Sequence, residues 1–470
     1  MEGLPWRKAL ASTGLIINAL ANRFDSERHA LETVNIMDVM RQYVGPADPL
    51  MALIPLAGVA ALAAALLIFR RLRLRRGTDL RRSELLWSAP SLLLLLALCG
   101  LCLSGLYVST PGFLALSTAL IAASGALTLA RGAAFAALAR LDRGKAIALS
   151  LARDALLVGA AIVIAFLALE LPWNYWLSSV RKFYVAVNLA LIAIPFVVLY
   201  LLGNRRGGLL AIPLAAFCVL GLAQYYVVLF KYSAIRPSDV LALGTALSVS
   251  SGYRFELAAY QVLSLGLVAF GVALLSFVRP LGYSPKTSRA RRWSLLAART
   301  AAGLGFGVAA ALTIGSVGFS DDLGFARSYW DSPHTYGQQG FAASFVTLLQ
   351  NTRISAPDGY SEQEARVLLA RYAGAYDEGT GQSDERQQAV EQYNQVQPTI
   401  IVIMNEAFSD LSVYKNMDSG YVGPTFMKSV PDALYTGYVY SSVLGGSTCN
   451  SEFEFLTGAS MGFVGPENQP

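Results

Sequence analysis

Two short stretches near the C-terminal end of the chain carry the residue types that could do covalent chemistry. The first is Asn405-Glu406, which follows the apolar, mostly β-branched run Thr399-Ile400-Ile401-Val402-Ile403-Met404. A continuous run of that kind suits a strand buried on both faces of a parallel sheet. In open α/β sheets, sites form at the carboxyl ends of strands. A carboxylate placed there is a candidate ligand for a hard cation. Taken alone the signal is weak, because a Glu after a strand is more often a solvated loop residue.

The second stretch is Gly445-Gly446-Ser447-Thr448-Cys449-Asn450-Ser451-Glu452-Phe453, preceded by the strand-like residues 434–444. The glycines allow a tight turn. Ser447, Thr448 and Asn450 are good helix N-cap types, and the following SEFEFL can continue as a helix. A hydroxyl at a helix N-terminus sits where free N–H groups and the helix dipole favour anions. A phosphoryl group held there would be open to attack by Thr448, and a divalent cation would lower the pKa of the attacking hydroxyl. The plain alternative is a capped helix without chemistry. The other cysteines point nowhere: Cys99 and Cys102 form a CxxC inside the apolar run Leu92–Leu106, and Cys218 is similarly embedded. Zinc would need polar surroundings and two further ligands.

Most of the chain serves to carry these stretches in a membrane. Of 470 residues, 54% are apolar and 14% charged, with a mean hydropathy of +0.47, whereas soluble domains carry about a quarter charged residues. A span needs about 20 apolar residues. Clear spans are expected near 50–69, 85–107, 113–130, 155–173, 184–203, 208–230, 257–278 and 294–318, with a weaker one at 9–22. That makes eight or nine spans. Residues 9–22 read either as a short span or as a signal peptide with the basic lead Arg7 and Lys8; both readings put 23–49 outside. Arginine clusters fill the loops 70–84, 131–154, 204–208 and 279–293. Placing every one of them in the cytoplasm satisfies the positive-inside rule, and everything after 318 is then external. The net charge of +6 is explained by those loops, so no nucleic-acid partner is implied.

Between the spans and the chemistry, Lys231–Leu257 is too polar to span and suits a surface-lying or re-entrant segment. Its Lys231, Arg236 and Asp239 are read as interfacial anchors, with a lipid headgroup as the sharper alternative. Tyr329, Trp330 and Tyr336 suit the membrane interface after the last span. Ser361 and Glu364 have capping-box spacing ahead of a helical pattern, and Tyr376–Gln397 reads as a polar linker. Three domains are expected: a transmembrane domain over 1–318, an external connector over 319–397, and an α/β domain beginning at 398 and running to 470.

The segments Ile400–Leu411 (IIVIMNEAFSDL) and Gly446–Gly458 (GSTCNSEFEFLTG) resemble the lipoteichoic acid synthase group of phosphoglycerol transferases, in the alkaline phosphatase and sulfatase superfamily. The resemblance covers residues 325–470 well and the membrane part in outline. It implies an alkaline-phosphatase-like α/β fold. It also implies that Glu406 binds a metal, and that Thr448 both ligates the metal and forms a covalent glycerophosphate intermediate. The cation implied is manganese, with magnesium as the alternative. The donor implied is phosphatidylglycerol and the acceptor a cell-envelope glycan or polymer, at the outer face of a bacterial plasma membrane. Two features depart from the group. The span count exceeds the five of its best-known members, and the later Asp-His ligand pair has no counterpart. The only histidines are His29 and His334, both upstream. The expectation is therefore a fragment, inactive by itself, of an enzyme active at full length.

Three other functions compete. A sulfatase would place a proline and an arginine after Cys449, where Asn450-Ser451-Glu452 stands instead. A phosphoethanolamine transferase shares the threonine nucleophile but fits SEFEFLTG less well. A transporter with an inert outer domain would need ionisable groups within the spans, and these are scarce apart from Glu170.

Overall fold

A computed structural model describes residues 47–463 except 76, 78, 242, 243, 245–247, 249–251, 282–287, 328–330, 353–355, 357, 398, 406, 407, 409, 414–419 and 444–447. The chain divides into two units, Met1–Gln350 and Asn351–Pro470.

The first unit is a helical bundle: α1 (Leu53–Leu74), α2 (Arg82–Leu103), α3 (Pro111–Leu129), α4 (Arg131–Ala139), α5 (Arg143–Glu170), α6 (Lys182–Leu202), α7 (Gly207–Lys231), the short α8 (Pro237–Leu241), α9 (Ala259–Leu275), α10 (Arg289–Ser316), α11 (Ser332–Gln339) and α12 (Phe341–Asn351). Among the described residues, seven stretches are long and apolar enough to cross a membrane: Pro49–Leu74, Arg82–Leu103, Pro111–Ala139, Arg143–Glu170, Lys182–Leu202, Gly207–Lys231 and Arg289–Ser316. This is a multi-pass helical membrane domain. The expected span at 257–278 is α9, apolar but only 17 residues long, or about 26 Å at the helical rise. The segment 9–22 lies outside the described residues.

The ends of the spans follow from local chemistry. Asp142 caps α5 by accepting from Gly144 N at 3.1 Å, and Ser288 caps α10 by accepting from Arg291 N. The arginines Arg71 and Arg73 fill the last turn of α1, where cations suit the helix dipole. One charge inside the bundle is tightly paired. Asp154, fully buried in α5, accepts from Arg205 Nη2 at 2.6 Å, Arg153 Nη2 at 2.7 Å and Tyr200 OH at 3.0 Å.

The core is built around α5, α6, α7 and α9, with Phe166, Leu169, Trp173, Phe196, Leu214 and Tyr225 packed together. Tyr336 and Phe341 join this core, so α11 and α12, beyond the last span, fold back onto the bundle. Tyr336 is thus a core residue rather than an interfacial one, and its hydroxyl donates to Ile235 O at 3.0 Å. Tyr329 and Trp330 lie outside the described residues. Cys102 and Cys218 are buried helix residues, as their apolar surroundings imply. Lys231 pairs with Asp239 at 3.2 Å, in keeping with ordinary anchoring charges.

The second unit holds α13 (Glu362–Glu378), α14 (Asp384–Val396), α15 (Thr425–Lys428) and α16 (Thr448–Thr457). Ser361 caps α13 by accepting from Glu364 N at 3.1 Å, at the position the spacing predicts. The stretch read as a polar linker is largely helical. Ser383 caps α14, and Asp384 and Glu385 occupy its first turn, where acidic residues complement the dipole. Among the described residues, bridge pairing is confined to the isolated contact Tyr107–Leu257. Residues 399–404 have no regular secondary structure, and Ile401 and Ile403 are 80% and 86% exposed. A strand apolar on both faces needs neighbouring strands and covering layers, and this run has neither among the described residues. The expected α/β domain is therefore not shown.

Candidate functional site

Thr448 is the first residue of α16 and is half-buried. Residues 444–447, with the N-cap candidate Ser447, lie outside the described residues, and the first turn of the described part of the helix opens with the hydroxyl-bearing Thr448. Asn450 anchors that turn at 2% exposure. Cys449 is exposed, and its Sγ donates to Asn450 Oδ1 at 3.4 Å. Glu406 lies outside the described residues.

Two carboxylates that the sequence reading did not single out organise the surroundings of these positions. Glu454, on α16, accepts from Ser442 N at 2.9 Å and Met461 N at 2.6 Å, and from the Ser442 hydroxyl. Ser442 Oγ also lies 2.7 Å from Ser460 Oγ. One side chain thus ties the segment that enters the helix to the segment that leaves it. The Ser442 hydroxyl, aided by the Met461 and Ser442 N–H groups, holds the Glu454 carboxyl below its ordinary value.

Asp410, four residues after Glu406, is the second. Its Oδ2 lies 2.8 Å from Lys428 Nζ and accepts from Tyr438 OH at 3.0 Å. Its Oδ1 accepts from Ser412 N at 3.0 Å and Ser412 Oγ at 2.5 Å. Lys428, foremost, and Ser412 hold this carboxyl well below the usual carboxylate range. Asp410 in turn raises the Lys428 ammonium and the Tyr438 phenol. The Asp410–Tyr438 bond joins the loop carrying the first motif to the stretch leading into the second. Gly423 completes the arrangement. Its φ of +95° is in the region that favours glycine, and a Cβ there would collide with Lys428 Nζ, Asp410 Oδ1 and Ser412 Oγ.

Only a pattern of acidic residues at fixed distance from the motifs could have flagged Asp410 and Glu454 in advance, and their most distant partners are 28 and 12 residues away. A hard divalent cation takes oxygen donors, and the Thr448 hydroxyl and the Glu406 carboxylate are of that type. Among the described residues, however, no group of three or more His, Cys, Asp or Glu could hold a metal ion. The described residues therefore do not complete a ligand set.

No protein-family model matches the chain, and no solved structure matches it. Over 135 residues, 29% of the chain, it is 30% identical to a protein of Rhizobium meliloti (strain 1021) named for cyclic beta-1,2-glucan modification. The chain is similar to 18% of that relative's length, so the likeness covers a minor part of both proteins.

Proposed function

We propose that this chain is the membrane domain and nucleophile-bearing segment of a transferase that modifies envelope glycans. It would move glycerophosphate from phosphatidylglycerol to a glycan or polymer hydroxyl through a covalent intermediate on Thr448. The observation that carries this reading is the position of Thr448 at the N-terminus of α16, in a segment joined through Tyr438 and Asp410 to the loop that follows Glu406. The relative named for glucan modification supports a glycan acceptor, and the spans support a lipid donor.

In this scheme the N–H groups at the start of α16 orient the anionic phosphodiester. The Thr448 oxygen attacks phosphorus and loses its proton, and the bond from phosphorus to the diacylglycerol oxygen breaks. Diacylglycerol leaves carrying a proton. An acceptor hydroxyl then attacks the same phosphorus, gives up its proton, and releases Thr448. Glu406 and Thr448 are the residues that would hold a divalent cation, manganese or magnesium, whose contribution when bound would be a lowered pKa of the hydroxyl. The α/β fold expected from residue 398 onward, and an external location in a bacterial plasma membrane, belong to the same proposal.

The test uses the full-length protein with phosphatidylglycerol labelled in its headgroup. Diacylglycerol release, with label on the peptide containing Thr448, is the expected result. Thr448→Ser should retain partial turnover, and Thr448→Ala and Glu406→Ala should abolish it. Cys449→Ser should be nearly silent. Turnover that survives Thr448→Ala, or is lost on Cys449→Ser, refutes the assignment. Release from phosphatidylethanolamine alone would keep the mechanism and change the donor.

A further inference from the structure

At the arginine-rich end of the bundle the helices line a half-open cleft of about 750 Å³. Among the described residues, seven arginines line it, Arg131, Arg143, Arg205, Arg206, Arg279 and Arg291 among them, and no acidic side chain is part of the wall. They come from the starts of α4, α5 and α10, from the α6–α7 turn and from the chain just after α9. Positive-inside arginines ordinarily sit on loop surfaces, where water separates their charges. Here they converge on one half-open cleft.

Three details show how the fold maintains that convergence. Arg205 is 7% exposed and its charge is met on one side by Asp154. The turn that carries it has Asn204 and Arg205 both in the left-handed region, with φ of +50° and +62°, a conformation that side-chain-bearing residues adopt at a cost. Arg131 is also 7% exposed, stacks over Trp87 and donates from Nη1 to Ser83 O at 3.0 Å, yet its buried Nε has no acceptor. A cleft lined by one sign of charge concentrates counter-ions, and guanidinium forks match phosphate oxygens in pairs. The remaining wall combines the polar Ser150 and Asn204 with apolar residues, Trp87, Ile147 and Leu295 among them. Leu295 belongs to α10, whose exposed Trp293 and Leu304 give it a lipid-facing surface.

We propose that this cavity binds a phosphate-bearing anion, and that the source is the headgroup of an anionic membrane phospholipid whose apolar part lies along the aliphatic wall. The lining residues of this cleft are different from those proposed for transfer. From Arg291 to the end of α10 at Ser316 is roughly 38 Å of helix, so the cavity and the exit of the last span lie at opposite ends of the bundle.

The full chain is reconstituted in phosphatidylcholine vesicles containing spin-labelled phosphatidic acid, and the motionally restricted fraction is measured. In a second arm, the chain in neutral detergent is dialysed against radiolabelled pyrophosphate. Arg206, Arg279 and Arg291 are exposed, so the variant Arg206→Gln/Arg279→Gln/Arg291→Gln removes lining charge with little packing. Arg70→Gln/Arg71→Gln/Arg75→Gln removes equal charge from the same end of the bundle, outside the cavity wall. Phosphatidic acid retained by the parent and the control, and bound tenfold or more weakly by the cavity variant, is the expected result. Pyrophosphate binding with that pattern, without lipid retention, would keep the phosphate site and overturn its lipid source. Equal weakening in both variants, or no binding by the parent in either arm, overturns the proposal. If the triple variant does not fold, as judged by its helical circular dichroism, Arg206→Gln and Arg291→Gln are measured singly, and the same comparison decides.

Discussion

Asp410 and Glu454 are half-buried, and each holds several donors, so their value lies in fixing chain segments. For Asp410 the sign of the pH effect follows directly. Its folded pKa is depressed by Lys428 and Ser412, so the ionised carboxylate stabilises the folded arrangement at pH above its ordinary value near 4. That contribution is lost as pH falls below this value toward the folded one. Limited proteolysis between residues 405 and 443 should therefore be slow at neutral pH and accelerate below about pH 4. In Asp410→Asn, cleavage should be fast and nearly independent of pH over that range. Gly423→Ala should give the same fast cleavage at neutral pH, because its Cβ displaces the Lys428–Asp410–Ser412 cluster and strains the backbone. A Gly423→Ala chain as resistant as the parent would remove Asp410 from this role. A helix over 448–457 was legible because hydroxyl and amide side chains before an apolar run mark a helix start. Asp410 was not, because nothing local distinguishes an aspartate that accepts from Tyr438, 28 residues on, from one facing water.

The element whose placement depends most on single residues is α12. Glu170 accepts from Phe341 N at 2.7 Å and from Asn174 Nδ2 at 2.8 Å. Asn188 Oδ1 accepts from Ala343 N at 3.0 Å while its Nδ2 donates to Gln339 O at 2.7 Å. A carboxylate and an amide thus satisfy the first N–H groups of α12, as helix ends require. Gly340, at φ +85°, lies where a Cβ would strike the Asn188 amide. Glu170→Ala leaves the Phe341 N–H buried without an acceptor and should cost about 1–3 kcal/mol. Glu170→Gln keeps an acceptor and should cost less. Gly340→Ala should cost at least as much as Glu170→Ala, through both strain and collision. Thermal unfolding of the solubilised chain gives the ranking, and equal melting points for all three would refute the anchoring role. The spans themselves were legible from apolar runs punctuated by arginine, since a bilayer demands about 20 apolar residues per helix. The return of α11 and α12 was not, because the contacts that hold it join residues 155 and 171 positions apart. Glu170 stood out as an ionisable residue within a span, the usual mark of a transport path, and it turned out to cap a helix. The polar run at 384–396 hid its helix for the opposite reason. α14 has no buried residue, so it carries no apolar periodicity to read.

For the whole molecule, orientation in the bilayer decides whether the proposed chemistry is possible, because the donor headgroup and the glycan acceptor must meet Thr448 on one side. The bundle has one end rich in arginine, where α1 finishes and α2, α5, α7 and α10 begin. Its other end holds the turns after α2, α5 and α7 and the exit of α10. Moving several arginines across a bilayer is strongly disfavoured, so the arginine end should be cytoplasmic. An odd number of crossings between Arg75 and the end of α10 then puts the following chain outside. In that stretch, six of the seven long spans follow Arg75, so the parity requires the 17-residue α9 to cross as well. Its length of about 26 Å falls just short of the hydrocarbon core of about 30 Å, a mismatch that local thinning accommodates at modest cost. Reporter fusions at Arg75 and Arg291 should therefore read cytoplasmic, and fusions at Ser320 and Thr380 external. A further pair at Ser233 and Arg279 isolates α9 and should read external and cytoplasmic in turn. If Ser233 and Arg279 report from the same side, α9 does not cross. If Thr380 then reports from the cytoplasm, Thr448 is on the wrong side of the membrane for an envelope glycan, and the transfer reaction falls with it.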